Sequence, residues 1–374
     1  MTIPLIPSIG TPIEFACDWG KIARLIVRDS LKTQPGEKVI IHADPTYFPA
    51  LTEQVRIELV RAGAVELTVS MLNSGALEAV RRSHRRREDH ALMDMEDQAM
   101  ASIFALADIY IWLPTLWSFN PGQTEQILKS WSGRSIHFHW VLEPNDPVEF
   151  CLLSRMYEQA LFVDYAYLDS RQQEIIAALR NSTVHITNPE GTDLNFDLPQ
   201  AHFHRGNGQA SKEFIASYAK AGSARDREVE LPAGAIRTVN ITGAHGQLVC
   251  SDETFFGRKV GTLVYTFDDG RITAVESQHH NDYVQAMWAI QSGDKDRIGE
   301  FNLGVNPTLT LLPEYPATVP YFGYGDGAIR LSLGDNQESG GSNISSYHHW
   351  LFLTNATVKA DGKTLVERGT LTGR

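Results

Sequence analysis

The chain has 374 residues, 43% of them hydrophobic, which fits two globular domains and excludes a disordered or fibrous chain. Its net charge of −12 argues against a nucleic-acid binder, which carries a basic footprint. The most apolar stretch, residues 103–117, is broken by Asp108 and Pro114 and falls short of the ~20 residues a membrane span needs.

Cys17, Cys151 and Cys250 are scattered, odd in number and without metal-ligand spacing, so a reducing, cytoplasmic setting is expected. Met1 to Gly10 lacks the basic-then-apolar pattern of a signal peptide.

Apolar residues at helical spacing predict a helix over 14–32, closed by Pro35-Gly36. Lys38-Val-Ile-Ile-His42 reads as a buried strand, Phe48–Ala62 as a helix stopped by Gly63, and Ala64–Met71 as a strand. The rhythm continues with a helix at 93–106, a strand at 108–113, a helix at 124–130 and a strand at 135–142. Alternating strands and helices predict a parallel sheet with covering helices. No Gly-x-Gly-x-x-Gly or Walker loop follows the first strand, so a nucleotide role lacks support. Arg81–Arg87 is the one basic run, diluted at once by Glu88-Asp89, and reads as a solvated helix face.

After a helix at 170–179 the texture changes. Residues 184–188, 194–198, 261–267 and 271–275 read as short strands, with turns at Pro189-Glu190-Gly191 and Asp268-Asp269-Gly270 and one helix near 282–291. The fold class is therefore an α/β domain with a parallel sheet, residues 1–180, followed by a mainly antiparallel β domain, residues 181–374, that carries the site.

Metal-capable and titratable residues crowd the second half: His202 and His204, His279 and His280, Glu300, and Tyr347-His348-His349-Trp350. Adjacent histidines in a strand point to opposite faces, so at most one of His348 and His349 enters a given pocket. Glu300 stands before the Gly304–Pro307 turn, where a carboxylate serves as ligand or general base. Glu338–Asn343 reads as a loop able to shape a pocket. No Gly-x-Ser-x-Gly elbow or His-Glu-x-x-His is present, which removes support for serine-hydrolase or zincin chemistry.

Asn188–Leu194, Glu230–Gly234, Leu303–Pro307, Gly340–Trp350 and Val358–Lys363, in this order and spacing, resemble the superfamily of the aminopeptidase T and S type, which also contains 2,5-dihydroxypyridine 5,6-dioxygenase. The resemblance implies a site in the C-terminal half and, by analogy, a homodimer acting on a small molecule. The peptidase branch has a ligand Glu after Leu-Pro-x-Gly, where this chain has Ala235. It has a ligand Glu at the position of Glu300, a His at the position of Arg330, and a closing His-x-Asp where this chain reads His348-His349-Trp350. The dioxygenase branch is expected to hold one iron through the positions of Glu300, His348 and Trp350.

The resemblance thus implies Fe(II) or another divalent metal on Glu300, His348 and a further histidine, His349 or else His279 or His280, with Glu300, His348 and His349 acting in catalysis. Arg330, Trp350, His279, His280 and Tyr347 would bind substrate. Three readings follow: ring-opening oxygenation of a small aromatic or N-heteroaromatic compound, hydrolysis of a small amide or cyclic substrate with Glu300 as base, or a non-catalytic binding protein.

Overall fold

The computed structural model describes residues 15–43, 49–71, 98–113, 127, 130–140, 147–218, 225–310 and 323–373. The basic run Arg81–Arg87 lies outside them, as does most of the helix expected at 124–130. The chain divides into two compact units: Met1–Leu161 with Gly208–Pro232, and Phe162–Asn207 with Ala233–Arg374.

The first unit opens with α1, Trp19–Arg24, continued by a π turn over Leu25–Ser30. Asp18 caps it, its carboxylate accepting from the Lys21 N–H at 2.8 Å, because the first N–H groups of a helix lack internal partners. Strand β1, Lys38–Ala43, leads to α2, Pro49–Ala62, and β2, Val65–Met71. Gly63, at φ +75°, ends α2 in the left-handed conformation that glycine takes without strain, and its carbonyl accepts from the Gly36 N–H at 2.8 Å. Residues 98–104 are helical, followed by β3, Ile109–Trp112, β4, Arg134–Phe138, and α3, Pro147–Leu161. Ile40, Phe104, Tyr110, Ile127 and Trp131 form a buried cluster in this unit. Burial of each such side chain contributes about 1.5–3 kcal/mol.

The chain then enters the second unit through α4, Tyr165–Leu179, β5, Thr183–Thr187, β6, Asp193–Asp197, and β7, His204–Arg205. It returns to the first through α5, Lys212–Tyr218, and a 3₁₀ turn at Arg225–Arg227, into β8, Glu228–Leu231. Strand β8 pairs parallel with β4 and completes a five-stranded parallel sheet of order β2-β1-β3-β4-β8. This return differs from a single break near residue 180. A four-residue strand far along the chain satisfies the edge of β4, and helix α4 groups with the β-rich unit.

The rest of the second unit is β9, Ala235–Thr238, β10, Thr242–Phe255, β11, Arg258–Asp268, β12, Arg271–Ser277, α6, Asn281–Ala289, β13, Ile298–Gly304, β14, Ile329–Gly334, β15, His348–Leu353, β16, Thr357–Ala360, β17, Lys363–Glu367, and β18, Thr370–Leu371. Two sheets result, of orders β12-β11-β10-β6-β5-β16-β17-β18 and β15-β14-β13-β9-β7. The architecture is thus an α/β unit with a parallel sheet and a β-rich unit in the C-terminal half. In the five-stranded sheet of the β-rich unit, Phe301, Leu331 and Leu351 share one row and one face. That face meets the eight-stranded sheet, where Phe301 packs edge-on against Phe196 at 5.4 Å between ring centroids.

Candidate functional site

Side chains alternate across a strand, so the opposite face of this sheet carries Glu300 and Asn302 from β13, Arg330 and Ser332 from β14, Arg237 from β9, and His348 and Trp350 from β15. The register aligns Arg237, Asn302 and Arg330 in one row and Glu300, Ser332 and Trp350 in the next. A sheet face normally buries apolar groups, yet Glu300, Asn302, Arg330 and Arg237 are all at most 4% exposed. Burying such groups costs free energy unless each is paired, which marks the face as a functional candidate.

The pairing is specific. Arg330 Nη2 donates to Glu300 Oε1 at 2.6 Å, and the Ser339 hydroxyl donates to the other carboxylate oxygen. The Arg330 guanidinium lies 4.8 Å over the Trp350 ring, and Arg237 donates to the Tyr324 hydroxyl. Asn302 Nδ2 donates to the Gly323 carbonyl. The loop at 336–343 delivers Ser339 and is pinned by Asn336, whose Nδ2 donates to the Gly299 carbonyl and whose Oδ1 accepts from the Asn343 N–H, both at 2.8 Å.

The first unit holds a second cluster. His137 and His139 share one face of the extended chain at β4, where the His139 N–H donates to the Leu231 carbonyl at 2.7 Å. Glu230 of β8 is the register partner of His137. One ligand atom from each of the three lies within 4.8 Å of the others, and His139 Nε2 is 3.7 Å from Glu230 Oε1. Among the described residues this is the one such group of three metal-capable side chains. Arg225 donates to Glu230 at 2.8 Å and to Glu228 at 2.5 Å. The Trp112 ring stacks on His137 at 3.7 Å. Burial, then the His139 imidazole, holds His137 well below its ordinary value. Burial favours the neutral form of Glu230, but Arg225 and the two histidines hold its carboxyl well below the usual carboxylate range.

No protein-family model matches the sequence, and none of the curated proteins does. Solved structures match over nearly the whole chain, and two of them define the fold. One is 2,5-dihydroxypyridine dioxygenase from Pseudomonas putida KT2440, with TM-score 0.62, 17% identity and coverage of 95% of this chain and 97% of that one. The other is wild-type AmpT from Thermus thermophilus, with TM-score 0.64, 17% identity and coverage of 95% and 99%. The fold is theirs. Among the described residues no helix is long and apolar enough to cross a membrane.

Within this fold the residues expected to ligate metal from the β-rich half take different partners. His348 and His349 lie on opposite faces of β15, so Glu300, His348 and His349 do not converge on one point. The exposed His348 donates through Nδ1 to the Asp335 carbonyl at 2.8 Å and meets the Trp350 ring edge-on at 5.3 Å. His349 Nδ1 hydrogen-bonds the Tyr347 hydroxyl at 3.0 Å, with the Tyr265 hydroxyl at 3.3 Å, and Nε2 lies 3.5 Å from Glu253. Tyr347 is buried on the Tyr265 hydroxyl at 2.7 Å. His279 and His280 are exposed, His280 at φ +58° just before α6. Of the expected substrate-binding set, Arg330 and Trp350 share the polar face; Tyr347, His279 and His280 do not join them.

The polar face does not fit a cation. Ala235 offers no donor, Glu300 meets a guanidinium, and Trp350 covers that guanidinium rather than supplying a carboxylate. Glu230 is likewise held by a guanidinium, that of Arg225, but His137 and His139 set two imidazole donors beside it, which the polar face does not bring together. His137-Phe-His139 carries the same spacing as His202-Phe-His204 and was legible as a motif. Its third member is supplied by β8, which no local signal connects to β4.

Proposed function

We propose that this protein is an enzyme converting a small aromatic or N-heteroaromatic compound that bears an anionic group, bound on the polar face of the five-stranded sheet in the β-rich unit. The observation that carries the reading is the buried Arg330–Glu300 pair capped by Trp350. A guanidinium stacked on an indole binds a planar anion by charge and by its fork of donors, while the ring offers a stacking surface. Arg330 and Trp350 bind substrate, Glu300 accepts or returns a proton, and Ser339 and Arg330 orient its carboxylate.

One reading of the reaction is ring opening by oxygenation, the chemistry in the name of one structure sharing the fold; iron(II) or another divalent ion would then have to be held by residues other than those of the polar face. Hydrolysis of a cyclic or amide substrate is a second reading. It is favoured by the ion-paired state of Glu300, a carboxylate held by an arginine and a serine rather than by metal ligands.

Dihydroxypyridines, pyridine carboxylates and their amides would be screened with an oxygen electrode and by mass spectrometry of products, with and without iron(II). Oxygen uptake supports the first reading; amine or ammonia release without oxygen uptake supports the second. No turnover and no calorimetric binding across the panel would refute both. So would turnover unchanged in Glu300→Gln.

A further inference from the structure

We infer that His137, His139 and Glu230 bind one divalent transition-metal ion, of the zinc or iron(II) class, at the C-terminal edge of the parallel sheet. This site lies in the α/β unit and is independent of the polar face to which the proposed reaction is assigned.

The donor set is chemically selective. Two imidazoles with one carboxylate suit zinc or iron(II), and three protein ligands leave a coordination position open. Calcium and magnesium prefer all-oxygen shells. The spacing is near that of a loaded site. Ligands ~2.1 Å from a tetrahedral ion stand roughly 3.4 Å apart, and His139 Nε2 and Glu230 Oε1 are 3.7 Å apart.

The surroundings are those of a built site. Arg225 donates at 2.8 Å to Glu230 Oε1, the oxygen that faces His139, so its guanidinium both fixes the carboxylate and competes with an ion for that atom. The stack of Trp112 on His137 fixes the plane of that imidazole. His139 and Glu230 are buried and His137 is half-buried. The cluster also lies where open parallel sheets collect ligands: His137 and Glu230 are the last residues but one of β4 and β8, and Trp112, the last residue of β3, stands in the same row. The opposing force is the Arg225 charge, which lowers affinity for a cation without occupying the imidazoles.

The test uses the full-length protein, stripped with chelator, dialysed against zinc and analysed for bound metal, with cobalt(II) substitution read by its visible absorption. A single ion per chain is expected, together with a cobalt spectrum of nitrogen and oxygen ligation. His139→Ala should weaken retention by more than the roughly 10–100-fold that outer-shell changes cost. His137→Asn, which keeps a polar group there, should act likewise and guards against misfolding of the first variant. His348→Ala should retain metal as the wild type does. No retained metal in the wild type, retention at the wild-type level in the His137 and His139 variants, or loss in His348→Ala would overturn the assignment.

Discussion

Replacing Arg330 with methionine tests whether the polar face is organised by charge. The Arg330 and Glu300 side chains are 4% and 2% exposed and 2.6 Å apart. At an effective dielectric of about 20, unit charges at that distance attract by roughly 6 kcal/mol, most of it cancelled by the cost of desolvating both ions. The observable loss comes from the carboxylate left behind. A buried charge deprived of its partner costs about 3–5 kcal/mol. Ser339 still donates to Glu300, which places the expected loss in the lower half of that range.

For a unit of this size, a loss of about 3–4 kcal/mol lowers Tm by roughly 6–16 °C. Urea unfolding followed by tryptophan fluorescence, with scanning calorimetry beside it, measures the loss. Arg330→Met/Glu300→Gln removes both charges and should recover most of it, because replacing a buried pair by neutral groups is often close to neutral. An Arg330→Met variant within about 1 kcal/mol of wild type would refute the reasoning, since a stranded carboxylate must show its cost. Strict additivity of the two single changes would refute it equally.

Three further outcomes are expected. Burial lowers the His42 imidazole from its ordinary value to about 3. The unfolded chain then binds the extra proton below about 6.5, so the contribution is complete above that pH and is lost toward pH 3, by up to about 1.4 kcal/mol per pH unit. Urea midpoints from pH 7 to pH 4 should fall with this added slope, and His42→Gln should flatten it. Tyr347→Phe should cost about 1 kcal/mol by urea unfolding, because Tyr265 keeps His349 at 3.3 Å as an alternative partner. A Cβ on Gly341 would fall 2.2 Å from the Asn336 side chain, so Gly341→Ala should displace the loop carrying Ser339, cost about 1–3 kcal/mol and speed proteolysis within 336–343.

The periodic elements of the first half were legible because each is locally determined. Val39, Ile40 and Ile41 in β1 are a continuous buried run, and Gly63 stops α2 where the chain needs positive φ. The antiparallel strands of the second half were legible in part, from turn residues at 189–191 and 268–270. The return of β8 to the first unit was not legible: Glu228-Val-Glu-Leu231 is short, and its pairing depends on a gap beside β4 that only the assembled sheet creates. The site followed the same division. That His348 and His349 face opposite ways follows from strand alternation, and this separation takes His349 away from the face that carries Glu300. The attachment of Arg330 to Glu300 needed the register of β13 against β14, in which Glu300 stands opposite Ser332, two residues along the strand from Arg330.

That attachment bears on what chemistry the face can offer. Arg330 stands where the resembling motif has an imidazole, and its guanidinium supplies a fixed positive charge to Glu300. In charge, a guanidinium partly replaces an ion beside a carboxylate. In chemistry it does not, because it has no vacant orbital and its pKa is far too high for it to act as an acid near neutrality. The face is therefore suited to holding an anion and positioning a proton acceptor. Metal chemistry, where the protein uses it, is better matched by the two imidazoles and carboxylate at His137, His139 and Glu230. The two clusters make opposite demands on one experiment: stripping metal should leave anion binding on the Arg330 face intact, and Arg330→Met should leave metal content intact. If either change abolished both properties, assigning cation and anion to separate units would be untenable.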